Sequence, residues 1–227
     1  MSKLKSSCLA LLRNKWFCLF WLIAGLLYVT IYGLLYVEDP FTQGLRGVNV
    51  LGVLIEPTMR ATASVIGKTY PVAFHAWGII QTISYALNIL YCYRRYGFKS
   101  RAGNVLLTVA ACSIVVNNCI PSTEIFGLQL VAHWGTALIF AFSIILALGL
   151  FLLHGAKTSR RMLATFIIYA GLVVSMLAML GILGKSGGVE NIPSWATYLI
   201  LLLANYTGVY KNSLPEKASR GMSCCEI

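Results

Sequence analysis

Six long runs of apolar residues, separated by short polar or basic segments, dominate the hydrophobic pattern of this 227-residue chain. The runs lie near residues 16–37, 72–93, 103–119, 128–153, 161–184 and 194–210. A helix needs about 20 apolar residues to cross the hydrocarbon core of a bilayer, and each run is of that order. The pattern therefore predicts an all-α, polytopic membrane protein in which residues 1–227 form a single bundle of six transmembrane helices.

One connection between the runs is long. Residues 38–71 include the stretch GVNVLGVLIEPTMRATASVIG, which is too apolar for a free linker and predicts short interfacial or re-entrant helices broken at Pro57. Non-helical backbone at membrane depth must be covered by protein or must line a watery cavity. This segment is therefore either a lid over the outer mouth of the bundle or a loop lying on the lipid headgroups. Residues 211–227 are predicted to be a cytoplasmic tail.

Composition agrees with a membrane protein. The chain is 58% hydrophobic and 11% charged, whereas soluble domains carry about 25% charged residues. The net charge of +11 would suit nucleic acid, but the basic residues form short clusters between the apolar runs instead of one continuous face. We therefore expect membrane lipids, and no nucleic acid, as partners.

The basic residues lie mostly on one side of the predicted membrane. That side receives 14 of them: Lys3, Lys5, Arg13, Lys15, Arg94, Arg95, Lys99, Arg101, Lys157, Arg160, Arg161, Lys211, Lys217 and Arg220. The other side receives four: Arg46, Arg60, Lys68 and Lys185. Cytoplasmic loops carry the excess of Lys and Arg, so both termini are predicted to be cytoplasmic. The links RRYGFKSR and HGAKTSRR are then expected among the headgroups of the inner leaflet.

Two ionisable residues stand out in the stretch IPSTEIFGLQLVAHWGTALIF. Glu124 precedes the fourth run, and His133 lies about 7–8 Å inside it at 1.5 Å per residue. Because ionisable groups are costly in hydrocarbon, the pair is a candidate for catalysis, with Glu124 and His133 as acid and base. The structural alternative is that Glu124 lies in a capped first turn behind Ser122 or Thr123, while His133 joins two helices by a hydrogen bond.

Other polar residues fall at similar depth in the outer portion of the predicted bundle. The candidate ligand-binding residues are His75, Glu56, Asn117, Asn118, Gln81 and Glu190. Gln81, Ser84, Tyr85 and Asn88 share one face of the second helix, as Tyr198 and Asn205 share one face of the last. Such faces point inward and either join helices or form the wall of a cavity. The small pair Ala137 and Ala141 predicts close helix packing on the fourth helix.

Several chemistries are excluded by the motifs. The chain has no GxSxG, HExxH or GxxxxGK[ST] sequence, so serine hydrolase, zincin and P-loop sites are not expected. Its three histidines lie at scattered depths, and no cofactor or metal is predicted. None of the seven cysteines falls in a predicted outer loop, so no disulfide framework is implied.

Two segments carry a family resemblance. IPSTEIFGLQLVAHWGTALIF resembles the start of the fourth helix in bacterial six-helix membrane proteins classed as a domain of unknown function, and GKSGGVENIPSWATYLILLLAN is similar to their closing segment. The resemblance implies that Pro121, Glu124, His133, Glu190 and Trp195 are family positions. More distantly, the chain resembles the Frag and DRAM-like membrane proteins, which share a long first outer loop. Neither resemblance implies a particular chemistry.

Three functions follow from these observations. The leading hypothesis is binding of an amphipathic, lipid- or isoprenoid-like molecule in an outward-facing polar pocket. The first alternative is a membrane-embedded enzyme that uses Glu124 and His133 on a lipid-like substrate. The second is a proton-linked transporter, which needs polar groups at several depths and a path through the cytoplasmic half.

Overall fold

The computed structural model describes residues 14–38, 48–55, 59–120, 127–183 and 186–210. Within these ranges the chain forms seven helices and one antiparallel hairpin. In chain order the elements are α1 (Lys15–Gly33), β1 (Val48–Val50), β2 (Val53–Ile55), α2 (Ala63–Thr69), α3 (Pro71–Arg95), α4 (Arg101–Cys119), α5 (Leu128–Ala156), α6 (Arg160–Leu183) and α7 (Gly187–Tyr206). The six long helices occupy the six predicted apolar runs.

Local sequence signals explain where several of these helices begin. Asn14 accepts two backbone hydrogen bonds at the start of α1, and Ser100 and Ser186 each accept one at the starts of α4 and α7. These side chains satisfy N–H groups that have no partner within the helix. Helix α3 begins with Pro71, whose missing N–H removes no helical hydrogen bond in the first turn.

Four of the helices are long and apolar enough to cross a membrane by length and composition: α1, α4, α5 and α6. Helices α3 and α7 are less apolar because they carry buried amides and hydroxyls, such as Gln81 and Asn88 on α3 and Asn205 on α7. The predicted helical fold is thus confirmed for the described residues, and four of its helices could cross a membrane by length and composition.

The six long helices form a closed ring. Each packs against its neighbours in the order α1, α3, α4, α5, α6, α7 and back to α1, while α3 also contacts α5 and α7 across the ring. The short helix α2 lies on α3 and α1. Helix α7 has more than half of its residues buried, which explains how it tolerates polar side chains that lipid cannot satisfy.

Gln81 joins three helices. Its Nε2 donates to the carbonyl oxygen of Gly25 on α1 (3.1 Å), and its Oε1 accepts from the hydroxyl of Tyr198 on α7 (2.8 Å). A Cβ atom at Gly25 would overlap the hydroxyls of Tyr198 and Ser84, so only glycine permits this close approach of α1. Gln81 therefore holds helices together and does not line a cavity.

Asn88 has the same role about two turns further along α3. Its Nδ2 donates to the carbonyl oxygen of Cys18 (3.0 Å), and its Oδ1 accepts from the Tyr206 hydroxyl (2.7 Å). Asn205 Nδ2 donates to the backbone oxygen of Asn88 (2.9 Å). The polar face predicted on α3 is thus mainly a three-helix joint between α1, α3 and α7.

Between α1 and α2 the chain departs from the expected helices. Residues 48–55 form a β-hairpin, and its turn places Leu51 and Gly52 at φ 52° and 84°. Alternating β-branched residues on both sides of a two-residue turn favour this structure, and Asn49 supports it by accepting from the Gly52 N–H (2.9 Å). The prediction of short helices is wrong for this stretch and holds only for α2; Pro57 lies outside the described residues.

Two glycines give a matched test of the α1 joint. We expect Gly25→Ala to lower the free energy of unfolding by about 1–3 kcal/mol, because the new methyl group displaces Tyr198 and Ser84. Gly171→Ala on α6 makes the same change where nothing lies within 4 Å, and should leave stability unchanged or raise it by up to about 1 kcal/mol. Equilibrium unfolding in mixed detergent micelles measures both, and equal losses would refute the close-approach argument.

Candidate functional site

A cavity of about 230 Å³ lies at the end of the ring where α1 and α4 end and α5 and α7 begin. All seven helices contribute to its wall. The lining residues are Tyr32, Gly33, Ala61, Ala63, Ser64, Phe74, Trp77, Tyr85, Ile114, Asn117, His133, Trp134, Ala137, Leu138, Phe140, Ala141, Ile144, Ile145, Met176, Leu180, Gly187, Glu190, Asn191, Pro193, Ser194 and Thr197. Under the predicted orientation this is the outer end.

Small residues leave the space for this cavity. Ala137 and Ala141 line it on α5, and Gly33 lines it on α1. The sequence predicted close helix packing at these two alanines, and in the structure they line the cavity. Trp134 and Leu138 also line it while 42% and 51% exposed. The cavity therefore reaches the outer surface of the bundle along α5.

Aromatic rings pack between the helices in the opposite half of the ring. Tyr93 packs on Phe98 (ring centroids 4.8 Å apart) and Tyr96 on Phe151 (5.2 Å). Burial raises the pKa of the Tyr96 phenol, so it stays protonated and donates to the Ala204 carbonyl oxygen (2.9 Å). This half of the described bundle offers no continuation of the cavity.

A stack of aromatic rings forms one wall. Phe74 stacks on Trp77 with centroids 5.8 Å apart and on His133 at 6.2 Å, and Trp77 stacks on Tyr32 at 6.1 Å. Rings from α1, α3 and α5 are thus held in one column. Stacked aromatic pairs contribute about 0.5–1.5 kcal/mol beyond their buried area, so the column fixes the plane of the His133 ring.

His133 is 3% exposed and has one ring nitrogen engaged. Its Nδ1 lies 2.9 Å from the carbonyl oxygen of Ile120. A carbonyl only accepts hydrogen bonds, so Nδ1 carries the proton, and in the neutral ring Nε2 is then an acceptor. No described residue hydrogen-bonds to Nε2. The histidine is therefore both a helix-joining residue, as the structural alternative held, and a group with a lone pair left for the cavity.

Asn117 and Asn118 differ in their surroundings. Asn117 Nδ2 donates to the His133 carbonyl oxygen (2.7 Å) and to Thr136 Oγ1 (3.1 Å), which ties α4 to α5, while its Oδ1 has no donor among the described residues. Asn118 packs against Gly78 on α3 and does not line the cavity. Its Oδ1 is buried without a hydrogen-bond partner among the described residues.

Helix α7 supplies the other polar side of the cavity. Glu190 lies in its first turn, and Glu190 Oε2 accepts from the Ala63 N–H at the start of α2 (3.4 Å). Asn191 is 8% exposed and lines the cavity without a hydrogen bond to any described residue. Ser194 and Thr197 follow at helical spacing on the same side, and Thr197 shares a hydrogen bond with a tyrosine of α6 (2.9 Å).

The segment before α2 is anchored to α7. Gly188 N–H donates to the Met59 carbonyl oxygen (2.8 Å), and Gly187 N–H donates to that of Arg60 (3.4 Å). A Cβ atom at Gly187 would overlap the Ala61 carbonyl oxygen, so glycine is required for this contact. Residues 61–64 consequently lie against the cavity and contribute to its wall.

The structure brings together only some of the predicted site. His133, Asn117 and Glu190 line the cavity, whereas Gln81 belongs to the three-helix joint and His75 is exposed outside the cavity. Glu124 and Glu56 lie outside the described residues. Within the described ranges, no three His, Cys, Asp or Glu side chains are grouped as a metal site.

Several lining residues were not among the sequence candidates. The most informative are Asn191, Ser194 and Thr197 on α7 and the aromatic residues Phe74 and Trp77 on α3. The sequence did contain a signal, because four polar residues of this segment have the spacing of one helical face: Glu190, Asn191, Ser194 and Thr197.

A second concavity lies at the turn between α3 and α4 on the opposite end of the bundle. Its volume is about 360 Å³, and three cations line it: Arg94, Lys99 and Arg101. It belongs to the link RRYGFKSR, which the sequence places among lipid headgroups.

Comparisons of the chain with protein-family models, curated proteins and solved structures found no match. The resemblance to six-helix bacterial proteins stays a prediction.

Asn117 and Asn118 provide a matched test of the hydrogen bonds that join α4 to α5 beside the cavity. Asn117→Ala should lower the free energy of unfolding by about 1–2 kcal/mol, because it removes the α4–α5 tie. Asn118→Ala removes a buried oxygen that has no partner in the described structure, so it should be neutral or slightly stabilising. Unfolding in mixed micelles compares the two variants, and a larger loss for Asn118→Ala would contradict the assigned contacts.

Proposed function

We propose that this chain is a six-span integral membrane protein whose outer-leaflet cavity holds the polar end of an amphipathic, lipid- or isoprenoid-like molecule. The observation that carries the proposal is a cavity in an apolar bundle that contains buried polar side chains with unused hydrogen-bonding capacity. His133 and Asn191 are more than nine-tenths buried and line it. Buried polar groups normally find partners, so a bound molecule is the natural source of the missing ones.

Helices α3 and α7 are the two additional spans of this proposal. At 1.5 Å per residue they are about 37 Å and 30 Å long, enough for a hydrocarbon core of about 30 Å. Their amides are directed into joints with other helices, as Gln81 and Asn88 illustrate. Polar residues inside a bundle lower a helix's mean hydropathy without exposing anything polar to lipid.

The size and lining of the cavity favour an amphiphile. An engineered apolar cavity of about 150 Å³ is large enough to bind benzene, so 230 Å³ accommodates a headgroup or ring, not a whole lipid. Trp134 and Leu138 line the side that reaches the bundle surface. An alkyl or isoprenoid chain extending past them would remain in contact with the bilayer.

The alternatives receive unequal support. The aromatic rings packed between helices in the cytoplasmic half argue against the transporter, which requires a path through that half. The enzyme alternative depends on Glu124, which lies outside the described residues. The free Nε2 of His133 suits a general base as well as a ligand-binding group, so turnover of a bound lipid is the second candidate.

Cavity filling tests the proposal. Ala141→Phe places a ring in the cavity, and Ala164→Phe makes the same change on the exposed surface of α6. Each protein is purified in mild detergent, and co-purifying amphiphiles are identified by native mass spectrometry. We expect wild type and Ala164→Phe to retain a discrete species that Ala141→Phe loses. Absence of any bound species in all three proteins would refute the proposal.

The orientation is tested by labelling in a background whose cysteines are replaced by serine. Leu51→Cys lies at the fully exposed tip of the hairpin, and Lys99→Cys lies at the α3–α4 turn. An impermeant maleimide added to intact cells should label only Leu51→Cys. Permeabilised cells should show labelling at both positions, and the reverse pattern in intact cells would contradict the positive-inside assignment.

A further inference from the structure

The lining of the cavity favours one kind of headgroup, and this inference rests on the proposed function. We infer that the polar end of the amphiphile donates hydrogen bonds and carries no negative charge, as hydroxyl and ammonium groups do, and that phosphate and carboxylate headgroups are disfavoured. The inference depends on which side chains line the cavity and on which of their atoms already have partners.

Cations are missing from the described wall. None of its lining residues is Lys or Arg, and its one acidic residue is Glu190. Recognition of phosphate or carboxylate normally uses Arg, Lys or free backbone N–H groups. Burying an anion without such partners carries a large desolvation cost. An anionic headgroup would also lie in the same cavity as the Glu190 carboxyl group.

Three backbone N–H groups at helix starts beside the cavity already have acceptors. The Ala63 N–H, at the start of α2, donates to Glu190 Oε2. The N–H groups of Gly187 and Gly188, at the start of α7, donate to carbonyl oxygens of residues 60 and 59. Neither helix start therefore has these donors available for an anion.

Acceptors, in contrast, are available on both polar sides. On the α4–α5 side they are Nε2 of His133, in the tautomer that carries its proton on Nδ1, and Oδ1 of Asn117, neither of which has a donor among the described residues. On the α7 side the Asn191 carboxamide lacks any described partner. These three residues are 3%, 2% and 8% exposed, so they depend on the cavity for hydrogen bonds. A headgroup that donates satisfies them, and one that also accepts can pair with the indole N–H of Trp77, which lines the cavity and is buried without a partner among the described residues.

The same atoms distinguish hydroxyl from ammonium. A hydroxyl group donates and accepts, so it can also take a hydrogen bond from Asn191 Nδ2. An ammonium group only donates, so it would leave the N–H groups of Asn191 Nδ2 and Trp77 Nε1 without a partner. A hydroxyl group therefore matches more of the described hydrogen-bonding groups than an ammonium group does.

The test uses the full chain in nanodiscs of zwitterionic lipid, with three amphiphiles that share one alkyl chain: dodecylglycerol, dodecylamine and dodecyl phosphate. Occupancy is measured by native mass spectrometry over a concentration series. We expect dodecylglycerol and dodecylamine to bind at least about tenfold more tightly than dodecyl phosphate. Asn191→Leu should reduce dodecylglycerol binding, whereas Asn104→Leu, on the exposed face of α4, should not.

The outcomes separate the inference from the proposal beneath it. If dodecyl phosphate binds as tightly as dodecylglycerol and Ala141→Phe abolishes both, the cavity binds amphiphiles and the headgroup inference is overturned. If none of the three binds and no amphiphile co-purifies with wild type, the proposed function fails and the inference fails with it. Comparison of ligands on the wild-type protein decides the matter even where a variant does not fold.

Discussion

The arrangement of this bundle depends on one constraint: a polar group surrounded by hydrocarbon must find its hydrogen bonds inside the protein. Gln81 and Asn88 meet it by bonding to carbonyl oxygens of α1 and accepting from tyrosines of α7. Because one helix supplies both amides, α3 is held between α1 and α7. The close approach this requires is possible only because Gly25 has no side chain to displace.

The same constraint applies to the polar side chains around the cavity. In the half of the bundle opposite the cavity, aromatic rings fill the space between helices and their hydroxyls bond to backbone, as Tyr93 and Tyr96 do. In the cavity half, small residues leave room while polar groups remain. Asn117 donates to the His133 carbonyl oxygen, and His133 Nδ1 donates to the Ile120 carbonyl oxygen. Each side chain still has one acceptor atom without a partner among the described residues. Unpartnered polar groups that line a cavity, unlike those enclosed between helices, can be reached by a molecule that enters it.

Sequence patterns predicted the six long helices because the length of an apolar run is a local property, and they placed His133 correctly in the second turn of its helix. They did not separate the asparagines by role. Asn117 and Asn118 were both candidates for ligand binding, yet Asn117 lines the cavity and Asn118 has a buried oxygen without a described partner. Asn88 joins helices, and Asn191 lines the cavity. Their roles depend on what lies opposite, which only tertiary packing decides.

The two polar sides of the cavity are held by different contacts. His133 is fixed by Ile120 and the aromatic stack, whereas Asn191 is carried by α7, whose first turn is bound to the Met59 backbone. A molecule that bonds to both sides would add a link between α5 and α7 and would satisfy groups that are costly when left unpaired. The occupied form should therefore be more stable than the empty one, since a ligand that binds only the folded state stabilises it. Under the proposed function, binding and folding would be linked through the same few side chains.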